Sequence, residues 1–153
     1  MAKKAKSSTK HIVNRRARYD YDLGDSLIVG IELTGSEAKN LRLGHGQLRG
    51  SYVNIKDNEL ILINATITGT NSMPIIESDQ TRPRKLLAKR KEIERLIEVK
   101  HQGRTLIPLE ILTSGRYIKL KIAVAKGKKK YDKRQTIKAK DQTRQIKRQL
   151  KRR

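Results

Sequence analysis

The chain has 153 residues, a length that suits one domain, and it carries 37 Lys and Arg against 15 Asp and Glu, a net charge of +22. It contains no cysteine, which excludes disulfides, thiol catalysis and thiolate metal sites. No apolar run approaches the roughly 20 residues of a membrane-spanning helix, and no apolar segment follows the basic N-terminus as in a secretory signal. We therefore expect a soluble, cytoplasmic protein.

The basic residues concentrate at the two ends of the chain. Residues 1–18 hold seven basic and no acidic residues, residues 126–153 hold 14 basic and two acidic residues, and the part between them has a net charge of only +3. Segments this basic repel themselves and do not fold alone. We predict a flexible basic arm over 1–13, a folded body over 14–125 and a basic tail over 126–153 that is disordered when free.

Nucleic acid is the partner that this charge distribution favours. Each phosphate contact made by a Lys or Arg releases counterions, so basic arms bind polyanions well. An anionic membrane surface is the rival partner. The arms lack the Trp, Phe and clustered Leu that a helix lying on a membrane would bury, so we expect no membrane binding.

The first predicted elements are a strand and a short helix. Leu27, Val29 and Ile31 alternate with Ile28, Gly30 and Glu32, which is typical of a strand with one buried face and places the latter three residues outward. Thr34 and Glu37 have the spacing of a capping box, which predicts a helix over about 36–43.

The middle of the chain predicts a hairpin and then the longest helix of the body. Two strand candidates, 51–56 and 59–67, are joined at Asp57-Asn58, a pair that favours a tight turn. No period is visible over 71–80, which predicts a loop. Pro83 has the position of a first helical residue, and the apolar spacing that follows predicts a helix to about residue 100.

The last strand of the body is predicted over 117–124, where apolar and basic residues alternate cleanly. Short strands interrupted by helices favour an antiparallel sheet or barrel with helices packed on it. Periodicity alone does not choose between these architectures.

The sequence offers no catalytic constellation. His11, His45 and His101 have no acidic or histidine partner at metal spacing, and no carboxylate pair stands out as an acid–base couple. No glycine-rich phosphate loop is present. We therefore expect no metal, no cofactor and no enzymatic activity.

The alternating strand also carries the strongest binding signal. Its outward residues, Tyr117, Lys119 and Lys121, precede the basic run 126–130, and together they predict a continuous basic strip for RNA contact. Gly127 would let a phosphate approach the backbone closely. Glu32 is either a solvated strand residue or a carboxylate that accepts from exocyclic base amines, and physics alone leaves both open. Tyr131 suits stacking on a base.

Several segments resemble the small protein B family, the SsrA-binding proteins of bacterial trans-translation. They occur in the family's order and spacing, and they read NRRARYDY (14–21), GIELTGSEAKNLR (30–42), SY (51–52), RPRKLL (82–87), EI (92–93) and KGKKKYDKR (126–134). The chain departs from the family pattern at Gln80, where the family has Pro, and at Ala88, where it tends to have Leu.

The resemblance implies a mainly β fold, an OB-fold-like antiparallel β-barrel with about three helices packed around it. It implies binding to tmRNA, chiefly its tRNA-like domain, and delivery of that RNA to stalled ribosomes for rescue and tagging of the nascent peptide. The tail would enter the empty mRNA channel near the decoding centre, elongation factor Tu would bind the charged tmRNA, and the free protein would be a monomer.

These implications assign the candidate site residues to three groups. RNA binding is assigned to Asn14, Arg15, Arg16, Glu32, Lys39, Arg42, Lys119, Lys121, Lys126, Gly127, Lys128 and Lys129. The ribosomal decoding region is assigned to Tyr131, Asp132, Lys133 and Arg134. The channel tail is assigned to Lys138, Lys140, Arg144, Ile146, Lys147, Arg148 and Leu150.

Two other classes of nucleic-acid-binding protein share the basic ends. A structural ribosomal or other rRNA-binding protein is the main alternative, and it would co-purify with every ribosome rather than with a minority. A DNA-bending architectural protein would need a dimer interface or an apolar intercalating wedge, and neither is evident.

Overall fold

The structure is a computed structural model that describes residues 12–150. The predicted flexible arm up to His11 lies outside the described residues, as do the last three residues of the tail. The strands are β1 (Ile12–Val13), β2 (Tyr21–Ile31), β3 (Gly46–Gln47), β4 (Tyr52–Lys56), β5 (Glu59–Ile63), β6 (Thr66–Ile67), β7 (Arg84–Leu87), β8 (Thr105–Leu112) and β9 (Lys119–Gly127). The helices are α1 (Ala17–Asp20), α2 (Gly35–Arg42), α3 (Glu77–Gln80), α4 (Arg90–His101) and α5 (Lys130–Leu150).

Seven strands form one antiparallel sheet in the order β1-β8-β4-β5-β7-β2-β9. β8 also pairs with β9, so the pairings that lead from β8 through β4, β5, β7 and β2 to β9 return to β8. A separate two-stranded sheet joins β3 to β6. The mainly β class with helices is as predicted, whereas the OB-fold type of the barrel stays a prediction. The described residues hold five helices rather than about three, because α1 and α3 are single turns.

The core residues of β9 and β2 are those that the alternation in the sequence predicted to be buried. In β9, Leu120 and Ile122 are buried, and their strand neighbours Lys119 and Lys121 face outward. Val29 of β2 is buried in the same way. These side chains join one large apolar cluster, which is the expected result of period-two patterning in strands with one buried face.

The predicted hairpin and capping box are both confirmed. Asp57 and Asn58 have φ values of 50° and 60°, the left-handed backbone that a two-residue turn between twisted strands requires. At the start of α2, the Glu37 N–H donates to the Thr34 hydroxyl oxygen at 3.3 Å. The Thr34 N–H donates to the Glu37 carboxylate at 2.9 Å. Both local predictions depend only on residues a few positions apart.

The helix predicted to start at Pro83 is wrong over its first turns. Residues 84–87 form β7, which pairs with β5 and β2, and α4 begins only at Arg90. Within β7, Arg84 and Leu86 are buried while Lys85 and Leu87 are exposed. The physical reason is that the neighbouring strands supply the backbone hydrogen bonds of this segment, and its burial period is two.

The predicted loop differs from the expectation, and the disorder predicted for the free tail stays a prediction. The segment 71–80 contains the short helix α3, and an isolated bridge joins Thr70 to Met73. The tail forms the helix α5 in the structure. The folded part begins with β1, two residues before the predicted boundary at Asn14, and β9 continues to Gly127, two residues past Ala125.

Candidate nucleic-acid interface

Asn14 anchors the N-terminal basic segment to β8. Its backbone N–H donates to the Leu109 carbonyl at 2.8 Å, and its Nδ2 donates to the Pro108 carbonyl at 3.0 Å. Pro108 lies at a register shift in the β8–β9 pairing. Asn14 therefore has a structural role, and it positions the exposed residues Arg15 and Arg16 at the start of α1.

Two alanines interrupt the basic strip that the sequence predicts along β9. Ala123 and Ala125 alternate with the same spacing as Lys121, yet both are only 1% exposed. Ala125 is covered because α1 packs here, with Ala17 joining Ala125 and Ile107 in a small apolar cluster. A strip continuous along this strand is therefore wrong.

Folding nevertheless brings basic residues from three parts of the chain to one cleft. The cleft has a volume of ≈ 400 Å³, and Arg18, Lys121 and Lys128 line it together with one carboxylate, Asp22. The Lys128 N–H donates to the Asp20 carbonyl at 3.0 Å, and its Nζ donates to the Arg18 carbonyl at 2.9 Å. These bonds fix the start of the tail beside the N-terminal segment.

The rest of the basic run follows directly from the end of β9. Gly127 pairs with Tyr21, and a Cβ atom added at Gly127 would have no neighbour within 4 Å. The fold therefore does not require glycine here, which leaves room for a ligand close to the backbone. Lys126 is exposed, and the Lys129 N–H donates to the Asp132 carboxylate at 3.3 Å.

Lys119 and Lys121 lie on an outer sheet face that also carries exposed apolar side chains. Lys121 is paired with Ile28, and Lys119 is paired with Gly30, which is in turn paired with Leu87. Ile28 is 52% exposed and Leu87 is 54% exposed. We name these five residues the outer face. The sequence showed Ile28 as outward, but Leu87 was missed because it was assigned to a helix.

Glu32 lies at the edge of this region, among basic side chains. Its backbone N–H donates to the Lys85 carbonyl at 2.9 Å. The pKa of Lys85 is raised chiefly by its hydrogen bond to Glu59, and the charge of Glu32 adds to that effect. The pKa of Arg82 is raised chiefly by its hydrogen bond to Glu37, again with a smaller contribution from Glu32. Glu32 thus lies near two cations, each of which is paired with another carboxylate.

Lys39 and Arg42 project from α2 as predicted, and both are exposed. The Arg42 Nη2 donates to the Arg116 carbonyl at 2.8 Å, which ties the end of α2 to the turn between β8 and β9. The structure therefore divides the predicted RNA-binding residues among three regions. The start of the tail carries Lys126, Gly127, Lys128 and Lys129, a separate cleft is lined by Asn14, Arg15 and Arg16 together with residues 44 and 46–49, and the side toward α2 carries Glu32, Lys39, Arg42 and Lys119. Lys121 belongs both to the outer face and to the cleft beside Lys128.

A buried ionic network, which the sequence reasoning missed, holds α2 against β7. Arg82 donates to the Glu37 carboxylate through Nε at 2.9 Å and through Nη2 at 2.6 Å. Arg84, whose side chain is fully buried, donates to the same carboxylate through Nε at 2.9 Å. Its four remaining N–H groups donate, at 2.7 to 3.1 Å, to the carbonyls of Ala65, Asp79, Gln80 and Arg82.

This network determines the ionisation of its members. Burial alone would raise the pKa of Glu37, but hydrogen bonds from Arg82 and Thr34 and the charge of Arg84 outweigh burial and hold the pKa below its ordinary value. Burial lowers the pKa of Arg84, against the attraction of Glu37. The network therefore consists of two cations that share one carboxylate. The alternation of Arg84 and Leu86 was the sequence signal that could have revealed a buried arginine.

The residues assigned to the decoding region and to the channel all belong to α5. Tyr131 is 69% exposed, Asp132 accepts from the Lys129 N–H, and Arg134 is exposed. The exposed channel residues are Lys138, Lys140, Arg144, Ile146 and Lys147. The side chains of Lys133, Arg148 and Leu150 lie outside the described part of the structure.

Two kinds of feature are absent from residues 12–150. None of the helices in this range is both long enough and apolar enough to cross a membrane. Within the same range, no group of three or more His, Cys, Asp or Glu side chains is placed to hold a metal ion.

Comparisons with known proteins connect this chain to one family. The model of the SmpB protein family matches residues 11–152. The SsrA-binding protein of Paracoccus denitrificans is 46% identical over 99% of both chains, and that of Chloroflexus aggregans is 44% identical over 96% of this chain and 97% of its own. A chain of the solved structure "tmRNA-SmpB: a journey to the center of the bacterial ribosome" is 38% identical, with a TM-score of 0.65, and the match covers 79% of this chain and 86% of that chain.

Proposed function

The chain belongs to the SmpB protein family, and from that premise we propose that it binds tmRNA and acts with it in the rescue of stalled bacterial ribosomes. Relatives that match nearly the whole chain are described as SsrA-binding proteins, and the solved neighbour belongs to a tmRNA-SmpB assembly on the ribosome. The function is binding rather than catalysis, and its place is the bacterial cytoplasm, where the ribosomes are.

The observation that carries this proposal is the meeting of the two basic ends of the chain on one folded body. Arg18, Lys121 and Lys128 line one cleft, and the exposed residues Arg15 and Arg16 lie at the start of the helix that packs beside it. Such a cluster of guanidinium and ammonium groups binds phosphates and releases their counterions. An RNA backbone is the ligand that this surface suits.

The outer face supplies the second half of the proposed tmRNA site. Lys119 and Lys121 would bind phosphates, while the exposed side chains of Ile28 and Leu87 would pack on unpaired bases or sugars. RNA is read mostly where its bases are unstacked, so a face that combines cations with apolar groups suits the loops of the tRNA-like domain. We further assign Glu32 and Lys39 to this RNA-binding role, and Asn14 to it through the position that it gives to Arg15 and Arg16.

For the tail we propose a different partner, the ribosome. Tyr131, Asp132, Lys133 and Arg134 would lie in the decoding region, and the rest of α5 would occupy the empty mRNA channel. The exposed basic residues of α5 support this, because phosphates along an rRNA-lined channel would screen their mutual repulsion. In this arrangement the body replaces the missing anticodon arm of tmRNA, elongation factor Tu binds the charged RNA, and the free protein is a monomer.

The test is to purify the tagged, full-length protein from bacteria and to sequence the RNA bound to it. We expect one small stable RNA, tmRNA, in strong excess over its share of cellular RNA, and association with only a minority of ribosomes. Stoichiometric association with every ribosome, without tmRNA enrichment, would instead identify a structural ribosomal protein. A tagged variant without its basic tail serves as the control for contaminating ribosomes.

A further inference from the structure

The turn between β8 and β9 exposes an aromatic ring, that of Tyr117, to which the proposed function gives no role of its own. Tyr117 is 69% exposed, whereas the next residue, Ile118, is buried in the large apolar cluster at 6% exposure. A buried neighbour fixes the backbone from which the ring projects. The ring is therefore presented from a turn that is anchored in the body and not from a free chain end.

A cation lies against one side of this ring. The guanidinium carbon of Arg116 is 5.4 Å from the ring centroid of Tyr117, within the range of a cation–π interaction. The Arg116 carbonyl accepts from the Arg42 Nη2 at 2.8 Å, which holds the turn against the end of α2. One face of the ring is thus covered by a guanidinium, and the exposed area leaves the other face to a ligand.

The surroundings of the ring indicate a ligand that is both anionic and flat. Arg42 and Arg116 lie beside it, and the exposed residue Lys119 begins β9 two residues later. Cations flanking a rigid aromatic platform are the combination that binds single-stranded nucleotides, whose bases stack while their phosphates are neutralised.

We propose that Tyr117 is a stacking platform for one unpaired base of the bound RNA. The base stacks on the open face of the ring, Arg116 supports the other face, and Lys119 neutralises an adjacent phosphate. This inference rests on the proposed function, because it places one nucleotide of the tmRNA at a defined position on the body.

The test measures the affinity of the full-length protein for a transcribed tRNA-like domain of tmRNA at several salt concentrations. Tyr117→Ala should weaken binding about 5- to 100-fold, the loss expected when one stacked base loses its ring. Its salt dependence should match that of the wild type, because no phosphate contact is removed. Lys119→Ala, in contrast, should lower the salt slope by about one.

Two further variants distinguish the effect of the aromatic ring from the effects of side-chain volume and of the hydroxyl group. Tyr117→Phe restores the ring and should restore most of the affinity, whereas Tyr117→Leu should bind as weakly as Tyr117→Ala. Ile76→Ala, which removes a 73% exposed apolar side chain elsewhere, is the matched control and should bind normally. Melting temperatures of all variants show whether each one is folded.

Ultraviolet cross-linking of the wild-type complex gives an independent measurement, and we expect a nucleotide adduct on the peptide that contains Tyr117. If Tyr117→Leu binds as tightly as the wild type, or Tyr117→Phe binds as weakly as Tyr117→Ala, the stacking proposal is overturned while tmRNA binding stands. If the wild-type protein itself does not bind this RNA, the proposed function fails and the stacking site fails with it.

Discussion

Glu37 shows how one side chain can serve both a local and a long-range purpose. It caps α2 through Thr34, and it also accepts three hydrogen bonds from Arg82 and Arg84, so the helix end and β7 depend on the same carboxylate. With its side chain only 2% exposed, water screens these contacts little. Removing the charge leaves the buried Arg84 guanidinium without its counter-ion.

We expect Glu37→Gln to lower the free energy of unfolding by about 3–5 kcal/mol at neutral pH, the usual cost of breaking a buried ion pair on one side. Urea denaturation followed by circular dichroism measures this loss. Glu94→Gln removes a carboxylate of an exposed pair with Arg90 and is the control, with an expected change of about 1 kcal/mol or less. Equal effects of the two variants would contradict a structural role for the network.

The same carboxylate predicts a dependence of stability on pH. The pKa of Glu37 is lower in the folded protein than its ordinary value of 4.5, so the folded state binds this proton less readily than the unfolded chain. The resulting stability is fully present above pH 4.5 and is lost as the pH falls through the folded-state value. Urea midpoints between pH 3 and pH 7 should therefore fall less steeply on acidification for Glu37→Gln; parallel curves would show that Glu37 has an ordinary pKa.

Replacing Lys119 and Lys121 tests whether the outer face binds RNA phosphates. Their joint replacement by Ala should weaken tmRNA binding and reduce the slope of log affinity against log salt by about two, since two phosphate contacts are lost. The matched control is the pair Lys56→Ala and Lys91→Ala, which removes the same charge from exposed positions outside the proposed surface. An equal loss in both double variants would show that only net charge matters.

Among the secondary-structure elements, α5 is the one whose function can be tested separately from that of the body. The described part of this helix contacts α1, and its exposed basic residues outnumber its exposed acidic residues five to two. Truncation after Arg134 should therefore leave tmRNA binding almost unchanged and abolish peptide tagging on stalled ribosomes. Binding is measured by titration, and tagging is measured in a reconstituted translation reaction.

Either of two results would contradict the assignment of tmRNA binding to the body and of peptide tagging to the tail. Tagging by the truncated protein would show that the tail is only a non-specific electrostatic tether. Loss of tmRNA binding together with tagging would place the tail in the tmRNA site.

The elements also show which structures can be predicted from sequence. The β4–β5 hairpin and the start of α2 were predicted because their signals are local: a turn pair and a capping box. β7 was not predicted, because its strand state depends on pairing with β5 and β2, which are distant in sequence. The predicted disorder of the free tail stays a prediction, although the structure has a helix there.

For the whole molecule, the folded body should be independent of the tail. A chain ending at Lys129 keeps β9 complete, together with the bond from the Lys128 N–H to Asp20, so it should melt in one cooperative transition. A chain ending at Ala125 loses the last two pairs between β9 and β2 and should melt at a lower temperature. Circular dichroism melts compare the two, and a gradual transition for the longer chain would show that α5 contributes to folding.

Only some residues of the candidate site could be proposed from the sequence, and its arrangement could not. The basic segments and the outward lysines are visible in the sequence, and the family resemblance extends over nearly the whole chain. The contact between Arg18 and Lys128 is not visible in the sequence, because it depends on the packing of Ala17 against Ala125. Two small apolar residues more than a hundred positions apart give no local signal of that contact.

The bonds from Lys128 to Asp20 and Arg18 have a geometric consequence for any partner that holds the body. They fix the point from which the tail departs, so the length of the tail alone limits how far it can reach. As a helix of 21 residues, α5 spans about 32 Å. The same residues fully extended would span about 70 Å. A change from extended chain to helix would therefore halve the distance between the body and a partner bound to the far end of this segment. The separation of the body from that partner thus depends on whether the segment is folded.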